Sequence, residues 1–300
     1  MQSQDLQQLF QRRRNLVILM VLCLMVAGSA TTALAVAKSK HGSHAKALGE
    51  AYVYKTVDGN QLHLYVMQPK VSSPKLKPAI IFFHGGGWVA LQAGQFNRWA
   101  KPLVDRGMVS IEVQYRLLDR HDKVPPKICA EDAKSAVRWV REHHSELGID
   151  PNKIVESGGS AGGYLAAFAT MVPGWNDPHD DLSVSSKANL LALFNPVIDN
   201  SPSGYGYWRF GESYKRYSPY FYTSKSTPPT LIMSGTDDKL IHASVLKAVR
   251  EKLEDDGVPC KLVLYKGQSH GFFNHPPYVT ETREELMSFL KKYKYIDSSK

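Results

Sequence analysis

Cysteine is scarce in this chain: three in 300 residues, at positions 23, 129 and 260. Their spacing excludes the paired-cysteine pattern of a structural zinc site, and their number excludes a small scaffold stapled by disulfides. No metal and no cofactor is expected. Beyond Cys23, which lies in the N-terminal segment, an oxidising compartment would permit a bridge between Cys129 and Cys260, and two buried thiols fit the sequence equally well. There is no repeat at a fixed period and no low-complexity tract, so solenoids and propellers are excluded. Acid is short of base, 28 residues against 37, for a net charge of +9. The basic residues are dispersed, with concentrations only at positions 38–46 and around Lys291, Lys292 and Lys294. They form no nucleic-acid module and read as a solvated surface, or one attracted to acidic polysaccharides or anionic envelopes.

Long uncharged runs are also lacking, with one exception. Residues 16–37 follow Arg12, Arg13 and Arg14, and end in Ala33-Leu34-Ala35 and Ala35-Val36-Ala37. A basic start, a short apolar stretch and an A-x-A site predict a secretory signal peptide over residues 1–37, removed on export to leave a secreted or periplasmic protein. The alternative is an uncleaved membrane anchor, for which the run is just long enough. Cleavage would remove three basic residues and Asp5, leaving +7. With no stable membrane insertion after cleavage, residues 38–300 are long enough for one large α/β domain.

What is present is a regular succession of strands and helices. Residues 52–56 and 61–67 flank Asp58-Gly59-Asn60 as a hairpin. Residues 79–83 (AIIFF) form a strand apolar on both faces, as in the middle of a parallel sheet. A helix is expected over 95–106, a strand over 108–113, an amphipathic crossover helix over 128–144, a strand ending at Val155 and a helix over 163–171. Strands follow at 190–198, 230–233 and 262–265, with helices at 243–253 and 281–293. Between them, residues 205–222 interleave nine aromatic rings with Gly and Pro. They show neither period, and read as a loop packed on the domain or as a lid over a site.

The chain is organised around V-E-S-G-G-S-A-G-G, residues 155–163, in which Gly158, Ser160 and Gly162 make G-x-S-x-G between a strand and a helix. On so sharp a turn the serine hydroxyl stands above the sheet, and a Cβ at Gly158 or Gly162 would strike the adjoining chain. The strand at 79–83 empties into His84-Gly85-Gly86-Gly87-Trp88, whose unhindered amides can converge on one oxyanion. His84 reads as a residue that fixes this loop rather than as a base. Asp237 and Asp238 follow another strand, and His270 follows the last. The order serine, acid, histidine is that of a nucleophilic triad. Ser160 would attack an acyl carbon, His270 would move the proton, and Asp238 or its neighbour Asp237 would orient the imidazole. The amides of Gly86, Gly87 and Ala161 would hold the oxyanion.

HGGGW at 84–88, GGSAGG at 158–163, GTDDKLI at 235–241 and GQSHGFFN at 267–274, in this order, resemble the α/β-hydrolase superfamily. Within it the chain resembles the exported esterase/lipase branch of acetyl esterases, feruloyl esterases and hormone-sensitive-lipase-like carboxylesterases, over residues 52–293. The resemblance implies an α/β-hydrolase fold with helices on both faces of a mostly parallel sheet and a short aromatic lid loop. It implies Asp238 as the acid and Gly86, Gly87 and Ala161 as the oxyanion hole. Hormone-sensitive lipases usually carry Asp where this chain has Gly159, and a larger N-terminal cap. The smaller polysaccharide-esterase type is therefore expected, acting on acyl groups, most simply acetate, on a sugar, with Trp88, Tyr164, Tyr205, Tyr207 and Trp208 lining the approach. A feruloyl esterase, a general carboxylesterase or lipase, a serine peptidase and a non-catalytic binding relative are the alternatives. Oligomeric state is not legible.

Overall fold

Strands that bury both faces need layers on both sides, and this requirement shapes the molecule. A computed structural model describes residues 46–70 and 75–297. The segment 1–37, with its two readings as signal peptide or anchor, lies outside the described residues. The described residues form one compact unit.

Among the described residues, eight strands form one sheet: β1 (Glu50–Val57), β2 (Asn60–Met67), β3 (Lys77–Phe83), β4 (Val109–Val113), β5 (Ile149–Gly159), β6 (Leu190–Phe194), β7 (Thr230–Gly235) and β8 (Cys260–Tyr265). Their order is β1-β2-β4-β3-β5-β6-β7-β8. The first two pairings, β1 with β2 and β2 with β4, are antiparallel, and every later one is parallel. The hairpin turns at Asp58 and Gly59, both with positive φ (50° and 77°), the backbone that a two-residue connection between right-twisted strands demands.

Along β3, Ala79, Ile81 and Phe83 face one apolar cluster while Ile80 and Phe82 face the other. The same alternation runs through β6 and β7. Among the described residues, six helices supply the covering layers: α1 (Asn97–Val104), α2 (Lys127–Glu142), α3 (Ala161–Met171), the single turn α4 (Tyr207–Phe210), α5 (Ala243–Asp255) and α6 (Tyr278–Lys292). Residues of α2, α3 and α5 build the first cluster, and those of α1 and α6 the second. The α/β-hydrolase arrangement expected from the sequence is therefore the one present.

Several boundaries differ from the sequence expectation, among them that of β5, which runs on to Gly159 rather than ending at Val155. Helix α1 occupies 97–104 rather than 95–106, because residues 92–96 are drawn into turns by Gln95 and Phe96. Strand β6 stops at Phe194 rather than continuing to Ile198. Asn195 takes φ 33°, donates its N–H to Met233 O at 2.6 Å, and sends Pro196 and Val197 over the start of α3, where Val197 N–H meets Ser160 O at 3.2 Å. The aromatic segment 205–222 contains α4 and two 3-10 turns, Gly211–Arg216 and Pro219–Tyr222, rather than an unstructured loop. Cys129 and Cys260 are both free thiols, Cys129 buried in α2 and Cys260 at the opposite edge strand β8, so no bridge joins them.

Candidate active site

A serine at a strand end has freedom that this one lacks. Ser160 stands between β5 and α3 at φ 55° and ψ −117°, a left-handed backbone that a non-glycine residue adopts only under constraint. The constraint comes from close backbone approach. A Cβ at Gly162 would stand 2.0 Å from Phe83 O, and one at Gly158 would stand 2.4 Å from the Gly162 carbonyl carbon. The collisions expected of these two glycines are thus with β3 and with the elbow itself. Helix α3 begins directly behind the hydroxyl, with its unpaired N-terminal amides and the positive end of its dipole.

The loops after β7 and β8 bring the acid and the imidazole to the same edge. His270 Nε2 lies 2.9 Å from Ser160 Oγ, and its Nδ1 lies 2.8 Å from Asp238 Oδ2. The other carboxylate oxygen of Asp238 accepts the N–H groups of Leu240 and Ile241, each at 2.9 Å. Burial pushes the Asp238 carboxyl up, but the His270 hydrogen bond and the Ile241 and Leu240 amides outweigh it, and the group sits below its ordinary range. Asp238 is buried, whereas Asp237 is exposed and its carboxylate accepts from Thr236 Oγ1 at 2.8 Å. Of the two candidate acids, Asp238 is the one in contact with His270.

Gly86 and Gly87 adopt φ 111° and 62°. Gly86 O receives the N–H groups of Val89 and Ala90, both at 3.1 Å, which closes a tight turn in front of the nucleophile. Among the described residues, the amides of Gly86, Gly87 and Ala161 donate to no protein oxygen. His84 belongs to the frame, as expected. Its Nδ1 lies 2.7 Å from Gly85 O, its ring stacks on Tyr115 at 4.3 Å, and Tyr115 OH donates to His84 O at 2.8 Å.

The expected lining divides. Trp88 and Tyr164 have no exposed surface, and their rings meet edge-on at 5.2 Å beneath the loop, so they brace it and cannot touch a substrate. This corrects the expectation for both: each extends the buried cluster that also holds Phe210. Tyr205 leans on Trp88 at 6.2 Å and is half-buried. Tyr207 is half-buried, with its hydroxyl bonded to Glu212. Trp208 is 55% exposed, with the Arg209 guanidinium over its ring at 4.3 Å. Of the two readings of segment 205–222, packing describes most of its rings: Tyr205, Phe210, Tyr214, Tyr217, Tyr220 and Tyr222 all lie against the main cluster.

Three polar residues around the triad, Gln95, Asn195 and Glu112, had no motif to announce them, and Asn274, which ends the GQSHGFFN stretch, is joined to one of them. Gln95 accepts the Gly85 N–H at 2.7 Å and donates to Asn274 Oδ1 at 3.3 Å. Asn195 accepts the Gly271 N–H at 3.2 Å. Glu112, buried in β4, accepts the Phe96 N–H at 3.4 Å. The signal that might have found Asn195 is its place at the end of a buried strand facing the histidine loop.

Comparison with known proteins places this geometry. Residues 64–202 match the BD-FAE family and residues 188–293 the dienelactone hydrolase family. The chain is similar to the AB hydrolase superfamily protein C1039.03 of Schizosaccharomyces pombe, 29% identical over 64% of this chain and 62% of that protein. It spans about half to three-fifths of the length of three of the curated relatives it matches. Among solved structures it is similar to Thermogutta terrifontis esterase 2 phosphoramylated by tabun, at 40% identity and a TM-score of 0.78, covering 83% of this chain and 96% of that one. The propionate-bound form of that esterase matches at 39% identity and a TM-score of 0.78, covering 84% and 97%. With a matching fold, a serine elbow and an esterase neighbour covered over 96% of its chain, this chain belongs to the α/β-hydrolase serine esterases.

Proposed function

We propose that the chain hydrolyses short acyl esters through Ser160, His270 and Asp238, by way of an acyl-enzyme. The observation that carries this reading is the unbroken series from a buried carboxylate through an imidazole to a strained serine, at 2.8 and 2.9 Å. Ser160 Oγ attacks the acyl carbon as its proton passes to His270 Nε2, and the carbonyl π pair moves onto oxygen. The Gly86, Gly87 and Ala161 amides receive that oxyanion, each donor contributing about 3 kcal/mol to the transition state. Collapse of the intermediate expels the alkoxide, which takes the proton from His270. Water then repeats the sequence on the acyl-serine, releasing the acid and restoring the hydroxyl. Asp238 keeps Nδ1 protonated so that Nε2 faces the serine as a base.

A short acyl group is supported by the propionate that the Thermogutta terrifontis esterase holds. Acetate on a sugar is the natural substrate we assign, with the exposed Trp208 face offering a stacking surface to the ring. Export through residues 1–37 would bring the enzyme to such polymers.

The test is hydrolysis of p-nitrophenyl acetate, with acetate release from acetylated xylan and glucomannan measured alongside. Ser160→Ala should lower kcat by about 10⁶-fold with an unchanged melting temperature. Ser160→Ala turnover close to that of wild type, or faster cleavage of peptides than of esters, would overturn the assignment. N-terminal sequencing of the exported protein tests the leader.

A further inference from the structure

The oxyanion loop and the histidine loop belong to opposite regions of the chain, yet one amide side chain touches both. Gln95 lies on the turn between β3 and α1 and uses both ends of its carboxamide. Oε1 takes the Gly85 N–H at 2.7 Å, and Nε2 donates to Asn274 Oδ1 at 3.3 Å. Asn274 in turn donates from Nδ2 to Gly271 O at 3.0 Å, one residue beyond His270. The residue adjoining each of the two repeats the contact with rings: Phe96 stacks on Phe273 at 5.9 Å with planes 15° apart. Gly159, immediately before the nucleophile, lies beneath that ring pair. A Cβ there would stand 2.6 Å from Phe273 Cζ and 3.5 Å from Phe96 Cζ. The glycine that replaces the aspartate usual in hormone-sensitive lipases is thus what lets the two rings close over the elbow.

The turn carrying Gln95 is itself held from the sheet, since Glu112 of β4 accepts the amides of Phe96 and Gly94. From the other side, Asn195 fixes Gly271 by accepting its N–H at 3.2 Å. Occupying the Gly85 N–H also matters to chemistry. It commits the first glycine amide to the frame, fixes the peptide plane ahead of Gly86, and leaves the next two amides to face the reacting carbonyl.

We propose that Gln95 is a positioning residue for ester hydrolysis, its amide joining the oxyanion loop to the histidine loop so that Gly86, Gly87 and His270 keep one register through acyl transfer. The proposal rests on the triad reading above. The glutamine touches no reacting atom. It acts by holding two groups that must converge as charge moves from serine to carbonyl oxygen, where a displacement of about 1 Å costs on the order of 100-fold in rate.

The experiment compares wild type, Gln95→Met, Gln95→Glu, Asn274→Ala and Gln95→Met/Asn274→Ala in the full chain. The readouts are kcat and KM for p-nitrophenyl acetate and the second-order rate of Ser160 phosphonylation by a fluorophosphonate. Gln95→Met should lower kcat and the phosphonylation rate together, by about 10- to 100-fold, with KM within about 2-fold, as expected for an interaction realised in the transition state. Gln95→Glu, which keeps the acceptor for Gly85, should lose less. The double variant should be no slower than Gln95→Met alone, because the two residues act as one link. An unchanged kcat, a rise in KM matching the fall in kcat/KM, or losses that multiply in the double variant would overturn the proposal. Ser160→Ala with turnover close to that of wild type would instead overturn the triad reading. If Gln95→Met does not fold, Asn274→Ala and Gln95→Glu carry the same test.

Discussion

Glu112 is a carboxyl group set into the middle of a sheet, beside a turn it holds through backbone amides and with one oxygen that finds no partner. Burial pushes its pKa up to about 7, the Phe96 and Gly94 amides only partly opposing this. A carboxyl raised on folding binds its proton more tightly in the native state. The contribution of this group to stability is therefore fully present at low pH and declines as the pH rises from the ordinary carboxyl value towards 7, by about 3 kcal/mol in all. Glu112→Gln should raise the melting temperature relative to wild type at pH 8 and lose that advantage at pH 5, as differential scanning fluorimetry at the two pH values would record. An equal difference at both would refute it. Nothing in the sequence marks this glutamate, because alternation within residues 108–113 says which face it occupies and not what covers that face. Gln95 is as silent, and although Asn274 ends the GQSHGFFN stretch, nothing local shows that the two, 179 positions apart, meet. Ser160, His270 and Asp238 were legible because each carries a local pattern of glycines at a strand end. Trp88 and Tyr164 were misread because a buried ring and a substrate-facing ring share one sequence signature.

The elbow shows why the strand and helix succession was readable while its ends were not. Periodicity reveals the buried faces of β3, β5, β6 and α3, but the end of β6 and the start of α1 are flanked by contacts distant in sequence, Asn195 N–H to Met233 O and Phe96 N–H to Glu112. The elements meet most tightly where Gly162 abuts β3, at 2.0 Å from Phe83 O and 2.5 Å from His84 O for a Cβ added there. Both contacts are with backbone, which cannot rotate away. Gly162→Ala should therefore cost more than the roughly 1–3 kcal/mol of ordinary overpacking and lower the melting temperature by at least about 6 °C, or abolish soluble expression. Gly257→Asn, at φ 76° with no atom within 4 Å of an added Cβ, supplies the control and should shift it by little. Comparable losses in the two variants would show that packing at the elbow is not the cause.

At the scale of the whole molecule, eight strands deliver their chemistry to one rim: the oxyanion loop after β3, the nucleophile after β5, the acid after β7 and the imidazole after β8. The scaffold that does so is held by packing and hydrogen bonds, and its two described cysteines are free. Burial pushes both thiols up to about 12, so little thiolate exists at neutral pH. The melting temperature should be the same with and without dithiothreitol, and both thiols should react with Ellman's reagent only slowly until the chain is denatured; a fall on reduction would reveal a covalent tie. The reach of sequence at this scale was considerable, since continuous apolar strands alternating with amphipathic helices admit few other arrangements. The backbone of Ser160, at φ 55° and ψ −117°, has a practical corollary. That conformation has no support in an unfolded chain, where the residue relaxes into an ordinary serine with an ordinary, sluggish hydroxyl. One equivalent of a fluorescent phosphonate would thus give a headcount of native molecules in any preparation, and a stored sample's loss of label would time the decay of its architecture.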